Sequence, residues 1–558
     1  GIKPKLAAEH GAIGCLIYSD PRDDGYGRGD VYPKGGWRSE HAAQRGSVSD
    51  MPVYPGDPLT PGVAATKDAP RPEFTKAQTL TKIPVLPISY ADARPLLEAL
   101  GGPMAPASWR GGLPLAYHLG PGPARVHLKL AFDWKLAPAL NVIATLPGSQ
   151  FPDQWVVRGN HHDGWVAGAS DPVSGMVAVL EEARAIGVLA RAGWKPRRTL
   201  VFAAWDAEEP GLLGSTEWVE HFADTLSAKV VAYVNSDSNA RGFFDAGGSH
   251  SLERLVNEIA REVPDPKVKG SVADRLLART VLQGSPADRR LARDERRFEI
   301  DALGSGSDYT PFLQHLGIAS LNIGFGGEGE YGQYHSVYDS VDHYLRFQDP
   351  DLAYAAALAK VGGRAVLRLS EADLLPFDFT RAADRIGRYV TEVDDLVKSL
   401  KAETTEHNRR VDDGTFTLAA NPAETYVPPT RKDAVPDIDI EPMRQAVERL
   451  RVAARRFDAA AKTAGDAPAA SLAAANTIVF QAERVLTRNE GLPRRPWFRH
   501  QVYAPGYYTG YGVKTLPAVR EALEQRAWDE ARTQVPLVAQ TLERYAGEIE
   551  RAAATLSR

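Results

Sequence analysis

The stretch Arg158 to Pro172, RGNHHDGWVAGASDP, constrains the fold most. Trp155-Val156-Val157 before it reads as the end of a buried strand. From Val173 to Arg191 apolar residues recur at helical spacing, so the stretch is a strand-to-helix connection. Open α/β sheets place ligands at such connections. His161 and Asp163 are two apart and project to one side while the strand conformation persists. A metal-bound His commonly donates its other ring N–H to a carboxylate, and Asp163 is placed to accept it. Asp171 returns a second carboxylate toward the same spot. Alone, a His-x-Asp pair is more often a surface or capping pair than a metal site. His162, beside His161, points the opposite way and reads as packing or as support behind the ligands rather than as a ligand.

Further short apolar runs end the same way. Thr199 to Ala204 leads into Trp205-Asp206-Ala207-Glu208-Glu209, and Val230 to Val234 into Asn235-Ser236-Asp237. Ala319 to Ile323 leads through the glycine-rich segment Gly324 to Gly332, read as a loop, to Tyr334-His335. One acidic strand end is ordinary, because Asp and Glu often cap the helix that follows. A series in a βαβα run suggests a convergent set of His, Asp and Glu, a donor mixture suited to zinc.

The segments HHDGWVAGASDP, WDAEEPGLLGSTEW, YVNSDS, LGSGSDY and YHSVYDS resemble, in order, those of the co-catalytic zinc exopeptidases of the glutamate carboxypeptidase II and transferrin receptor group. The resemblance runs along nearly the whole chain. It implies an α/β zinc-exopeptidase fold, a mixed sheet with helices on both faces. It adds a protease-associated apical domain at residues 1–138, N-terminally incomplete, the zinc peptidase domain at 139–374 and a helical dimerisation domain at 375–558. Carried over by position, His161 and Asp237 hold one zinc, Glu209 and His335 the other, Asp171 bridges both, and Glu208 is the general base. Tyr334, Tyr511, Ser47 and Gly306 are implied as substrate contacts, the Tyr334 hydroxyl stabilising the oxyanion. Arg45-Gly46-Ser47 and Gly56 to Gly62 resemble motifs that face the active site. A calcium site is implied at Thr60, Glu217 and Glu220 with the Val63 carbonyl. Glu217 and Glu220, spaced i,i+3 on a helix, read equally as a solvated acidic face.

Composition fits a large globular chain. Its 558 residues suggest about three domains, and 43% are apolar. A net charge of −5 without a long basic run argues against a nucleic-acid partner. No apolar stretch reaches the ~18 residues of a membrane span. The single Cys15 excludes an internal disulfide and, in an apolar strand, reads as a buried thiol. Gly14 to Tyr18 and Ile83 to Ile88 are strand signals flanking a Gly- and Pro-rich region from Pro21 to Pro72, too long for a plain connection. Asp171-Pro172 is a candidate cis bond. No targeting signal stands in the chain as given. The family's N-terminal segment would precede Gly1, so a separate N-terminal polypeptide of the same protein is an expected partner. The resemblance implies a secreted or periplasmic protein.

Past Asp378 the composition turns helical, with 3.6-residue spacing over Met443 to Ala464, Ala469 to Thr487 and Trp528 to Leu556. These faces read as solvated surface or, by the resemblance, as a homodimer interface, with the loop Tyr503 to Tyr511 reaching the active site. The expected activity is carboxypeptidase-type cleavage of small peptides with two zinc ions and one calcium ion. Aminopeptidase action on the same fold is the alternative, and a silent receptor-like protein a third reading, opposed by the intact ligand set. Gly510 stands where the carboxypeptidase has Lys, Ser47 where it has Asn, and its arginine cluster is absent around Leu321-Asn322-Ile323. Strong selectivity for glutamate is therefore not expected, with Lys514 the one basic residue near the gap.

Overall fold

The computed structural model describes residues 1–422 and 426–557. At the N-terminal end Cys15–Ile17 and Val85–Pro87 pair in parallel. Gly101–Met104 and His118–Gly120 form an antiparallel pair beside them. Residues 21–72 between the first two strands run mostly through turns. Cys15 is half-buried rather than enclosed, because two three-residue strands offer too little sheet to cover it.

The central sheet has six strands: β1 (Val142–Leu146), β2 (Phe151–His161), β3 (Arg198–Trp205), β4 (Val230–Asn235), β5 (Gly242–Gly248) and β6 (Ser320–Gly327). Their order is β1-β3-β2-β4-β6-β5. The middle four are parallel, and β1 and β5 close the edges antiparallel. Every residue of β4 is buried, as expected where both faces are covered. Beyond the expected end at Ile323, β6 continues to Gly327, pairing Gly324 with Asp245 and Gly326 with Phe243. Glycine's poor strand propensity hid this extension, and the backbone ladder with β5 overrides it.

Helix α1 (Ser174–Arg191) turns Ala178, Val179, Glu182 and Ile186 inward, one face at helical spacing. Glu182 is the polar exception. It takes a bidentate pair from the fully buried Arg158 of β2, at 2.8 and 3.0 Å. Val234 lies opposite Arg158 in register and shares its face, so Tyr233 projects to the other side. There it stacks on Phe312, with centroids 4.1 Å apart.

Helix α2 (Leu213–His221) covers this second face, its Trp218 against Phe312, while α3 (Ala353–Glu371) lies beside α1 on the first. Then follow α4 (Phe379–Asp412), α5 (Glu441–Lys462), α6 (Ala469–Gln481) and α7 (Trp528–Leu556). α7 buries Val535, Val538, Leu542, Tyr545 and Ile549 in one stripe, against which α5 packs lengthwise. Leu375, Phe377 and Phe379 carry one continuous hydrophobic core from the sheet into these helices. Among the described residues no helix is long and apolar enough to cross a membrane.

Candidate active site

The parallel strands end along one edge of the sheet, where chain reversal leaves room for a ligand. His161 is the last residue of β2, Glu208 and Glu209 follow β3, Asp237 follows β4, and His335 lies on the turn after β6. Asp171 comes from the connection between β2 and α1, after Gly168 and before the cis bond to Pro172.

These six side chains converge. His161 Nε2 lies 3.3 Å from Asp237 Oδ1 and 3.5 Å from Asp171 Oδ1. His335 Nε2 lies 3.1 Å from Asp171 Oδ2 and 3.1 Å from Glu209 Oε2. Two sets result, His161/Asp171/Asp237 and Asp171/Glu209/His335, each with donor atoms within 4.8 Å of one another. The two oxygens of Asp171 divide between them. Glu208 belongs to neither set, its Oε2 lying 3.9 Å from His161 Nε2. His161 Nε2 and Glu209 Oε1 are buried with no hydrogen-bond partner. A buried imidazole lone pair and carboxylate oxygen left in this way fit a metal ion as the missing partner.

Electrostatics support that fit. Asp171, Glu208, Glu209 and Asp237 line one cavity of about 380 Å³ in which no Lys or Arg side chain takes part. Burial pushes the Glu208 carboxyl well up, and Asp237 and Asp308 push it further. Burial opposes charge on His161, yet Asp237 and Glu208 outweigh it and raise its pKa. Clustered buried carboxylates with no Lys or Arg among them fit a bound cation.

Supporting residues fix this geometry. The Asp163 carboxylate accepts the backbone N–H of Glu208 at 2.9 Å and of Glu209 at 3.2 Å. It also lies 3.4 Å from His161 Nδ1, so one carboxylate joins the ends of β2 and β3. Three further residues in the motifs had no role from sequence reasoning. Ser307 Oγ donates to Asp237 Oδ2 at 2.6 Å. Asp339 accepts the N–H of Ser170 and of Asp171 at 2.8 and 3.0 Å, and burial raises its pKa to about 6. Asp308 is fully buried nearby, and burial holds it up at about 7. Ser307 and Asp308 follow Gly306, and Asp339 lies four residues past His335, so proximity to assigned positions was the available signal. His162 is exposed, its Nε2 3.2 Å from the Leu140 carbonyl oxygen.

The cavity is lined by Tyr334, Tyr511, Ser47 and Gly306, together with Tyr309 and Tyr331, which sequence reasoning missed. Tyr334 stacks on His335 at 3.7 Å, and burial raises its hydroxyl pKa far above the ordinary value, so it remains a donor. Ser47 Oγ donates to the Pro210 carbonyl at 2.7 Å. Lys514 is not in the cavity: its Nζ sits 2.8 Å from both carboxylate oxygens of Glu524.

The segment Gly56 to Gly62 does not line the cavity. It packs instead against Glu217 and Glu220 at α2, because its backbone N–H groups serve those carboxylates. Asp57 N–H donates to Glu217 Oε1 at 2.7 Å and Gly62 N–H to Glu220 Oε1 at 3.0 Å. Thr60 Oγ1 and Glu220 Oε2 are buried with no partner. Burial raises Glu217 to about 8 and Glu220 to about 7. The pair is thus not a solvated face. Val63, although half-exposed, stays at the same turn through its N–H to the Thr60 carbonyl, 3.0 Å.

Comparison with known proteins agrees with this geometry. Residues 141–356 match the model of peptidase family M28, and residues 438–550 that of the transferrin receptor-like dimerisation domain. The chain is 32% identical to the probable glutamate carboxypeptidase LAMP1 of Arabidopsis thaliana, over 95% of this chain and 70% of that protein. It is 34% identical to a probable glutamate carboxypeptidase of Arthroderma benhamiae, over 94% of this chain and 68% of that one. It is 29% identical to the aminopeptidase NAALADL1 of Rattus norvegicus, over 99% and 72%. The chain therefore belongs to peptidase family M28, in the group that joins an M28 peptidase domain to a transferrin receptor-like dimerisation domain.

Proposed function

We propose that this zinc exopeptidase removes C-terminal residues from small peptides with two zinc ions, one held by His161 and Asp237, the other by Glu209 and His335, and both by Asp171. The division of the Asp171 oxygens between two imidazole-centred sets carries the reading. Zinc in these sets supplies Lewis acidity, polarising a carbonyl oxygen and lowering the pKa of water toward ~7. Glu208 takes the proton of the attacking water and delivers it to the leaving amine as the C–N bond breaks. The Tyr334 hydroxyl donates to the oxygen that gains charge at the attacked carbon. Asp163 keeps Glu208 and Glu209 in place through their backbone N–H groups.

Strong selectivity for a C-terminal glutamate is not part of this reading. Two carboxylates need cationic partners. Gly510 and Ser47 supply none and Lys514 is held by Glu524, which leaves Arg45 and Lys3 on that side of the cleft. Aminopeptidase action is the alternative, favoured by the name of the NAALADL1 relative. A calcium ion at Thr60, Glu217, Glu220 and the Val63 carbonyl is supported by the unpartnered oxygens there. Homodimer formation through the C-terminal helices, and a secreted or periplasmic location, accompany the proposal. The test is mass spectrometry of a peptide mixture incubated with zinc-loaded protein. Loss of C-terminal residues supports the reading, loss of N-terminal residues selects the alternative, and intact peptides overturn both.

A further inference from the structure

Two further cavities adjoin the central one through different lining residues and have none in common. One, about 490 Å³, shares Ser47, Tyr334, His335 and Tyr511 with the centre and is lined by Arg45 and Lys3, but by no carboxylate. The Arg45 backbone is pinned to His335, N–H to carbonyl at 2.9 Å, while its guanidinium makes no ion pair among the described residues. The other, about 390 Å³, shares Asp237, Ser238 and Asn322 with the centre. Its wall is the β5–β6 ladder, where Asp245 faces Gly324. Gly324 has no side chain to cover Asp245, and a Cβ at Gly326 would meet open space. Asp245 is exposed and forms no ion pair among the described residues. Arg279 lines the same cavity, 4.5 Å over the Phe243 ring and 3.3 Å from Gln283 Oε1, and acts on Asp245 through its field without forming an ion pair with it.

Arg45, without an ion-pair partner, thus lines one cavity adjoining the reacting centre, and Asp245, likewise without one, lines the other. A peptide zwitterion matches that polarity, its carboxylate toward Arg45 and its ammonium toward Asp245. Only in a dipeptide do both charges belong to the two residues flanking the scissile bond. Resting on the exopeptidase reading above, we propose that the preferred substrates are unblocked dipeptides, with Asp245 recognising the free α-ammonium group and Arg45 the free α-carboxylate. Charge-assisted hydrogen bonds of this kind distinguish a charged terminus from its neutral derivative by about tenfold or more.

The test compares kcat/KM of zinc-loaded protein on leucyl-leucine, its N-acetyl derivative and its C-terminal amide. The free dipeptide is expected to lead each blocked form by about tenfold. Asp245→Asn should narrow the gap to the acetylated peptide, Asp245→Glu should restore it, and Arg45→Gln should narrow the gap to the amide. Equal hydrolysis of free and acetylated peptide, or a gap unmoved by Asp245→Asn, overturns this inference while leaving the exopeptidase reading intact. Hydrolysis of none of the three overturns the exopeptidase reading itself.

Discussion

Replacing Glu208 by Gln isolates proton transfer from metal binding. The side chain keeps its shape and loses its ability to accept a proton. Its Oε2 lies 3.9 Å from His161 Nε2 and belongs to neither donor set, so both sets survive the change. No substitute base is at hand. Asp171, Glu209, Asp237 and His335 are assigned to the donor sets, and Asp308, buried nearby, does not line the cavity. Glu208 is only 8% exposed, which limits rescue by bulk water. The loss should therefore reach the upper part of the general-base range, roughly 10³–10⁴-fold in kcat, or about 4–5 kcal/mol of barrier. The assay pairs steady-state hydrolysis of a dipeptide with metal analysis of the same sample. Near-normal turnover with metal retained would place the base elsewhere, and loss of metal with activity would make Glu208 a ligand.

Other perturbations reach the framework. Glu182→Gln leaves Arg158 charged and buried without its anion, so the protein should lose about 3–5 kcal/mol in denaturant unfolding, and Arg158→Met with Glu182→Leu should recover most of it. Glu483 is buried on Ser249, and burial raises its pKa to about 7. A carboxyl raised in the folded state contributes stability that is present below its unfolded pKa near 4.5 and is lost as pH rises toward 7. Relative to Glu483→Gln, the native chain should thus lose about 3 kcal/mol across that window, and parallel stability curves would contradict the assignment. Calcium chelation should lower the thermal midpoint of the native chain but not of Glu217→Gln, as read by differential scanning fluorimetry. Light scattering at micromolar concentration should give twice the chain mass, and a monomer mass would show that the C-terminal helix faces pack internally.

The strand ends carrying the site were legible because each is a short apolar run closed by His, Asp or Glu, and β2, β3, β4 and β6 all form there. Helices α5, α6 and α7 were legible from periodicity, since each buries one stripe. The continuation of β6 through glycines was not, because glycine in a ladder and glycine in a loop leave the same local signature. The roles of Asp339 and Ser307 were hidden for another reason. Each acts on a partner far along the chain, Asp339 on Asp171 and Ser307 on Asp237, and no local pattern encodes such distances. The segment Gly56 to Gly62 read as a turn, which it is. Only its contact with α2 shows that its N–H groups face carboxylates.

The long segment before Pro72 gains its reason from His335. This residue has φ of +56°, a left-handed conformation that costs a non-glycine residue about 1 kcal/mol or more and that persists only where its surroundings impose it. Here residues 38–45 impose it. Arg45 N–H donates to the His335 carbonyl at 2.9 Å, and the Arg45 carbonyl lies 3.0 Å from His335 Nδ1, which orients Nε2 toward Asp171 and Glu209. Buried Arg38 donates to the Tyr334 carbonyl at 3.0 Å, holding the preceding residue. The same turn sets His335 Nε2 and, through ring stacking at 3.7 Å, the neighbouring Tyr334 ring. Under the proposed mechanism, residues 38–45 therefore act on the chemistry by holding His335 in the second donor set and the backbone of Tyr334, the proposed oxyanion donor.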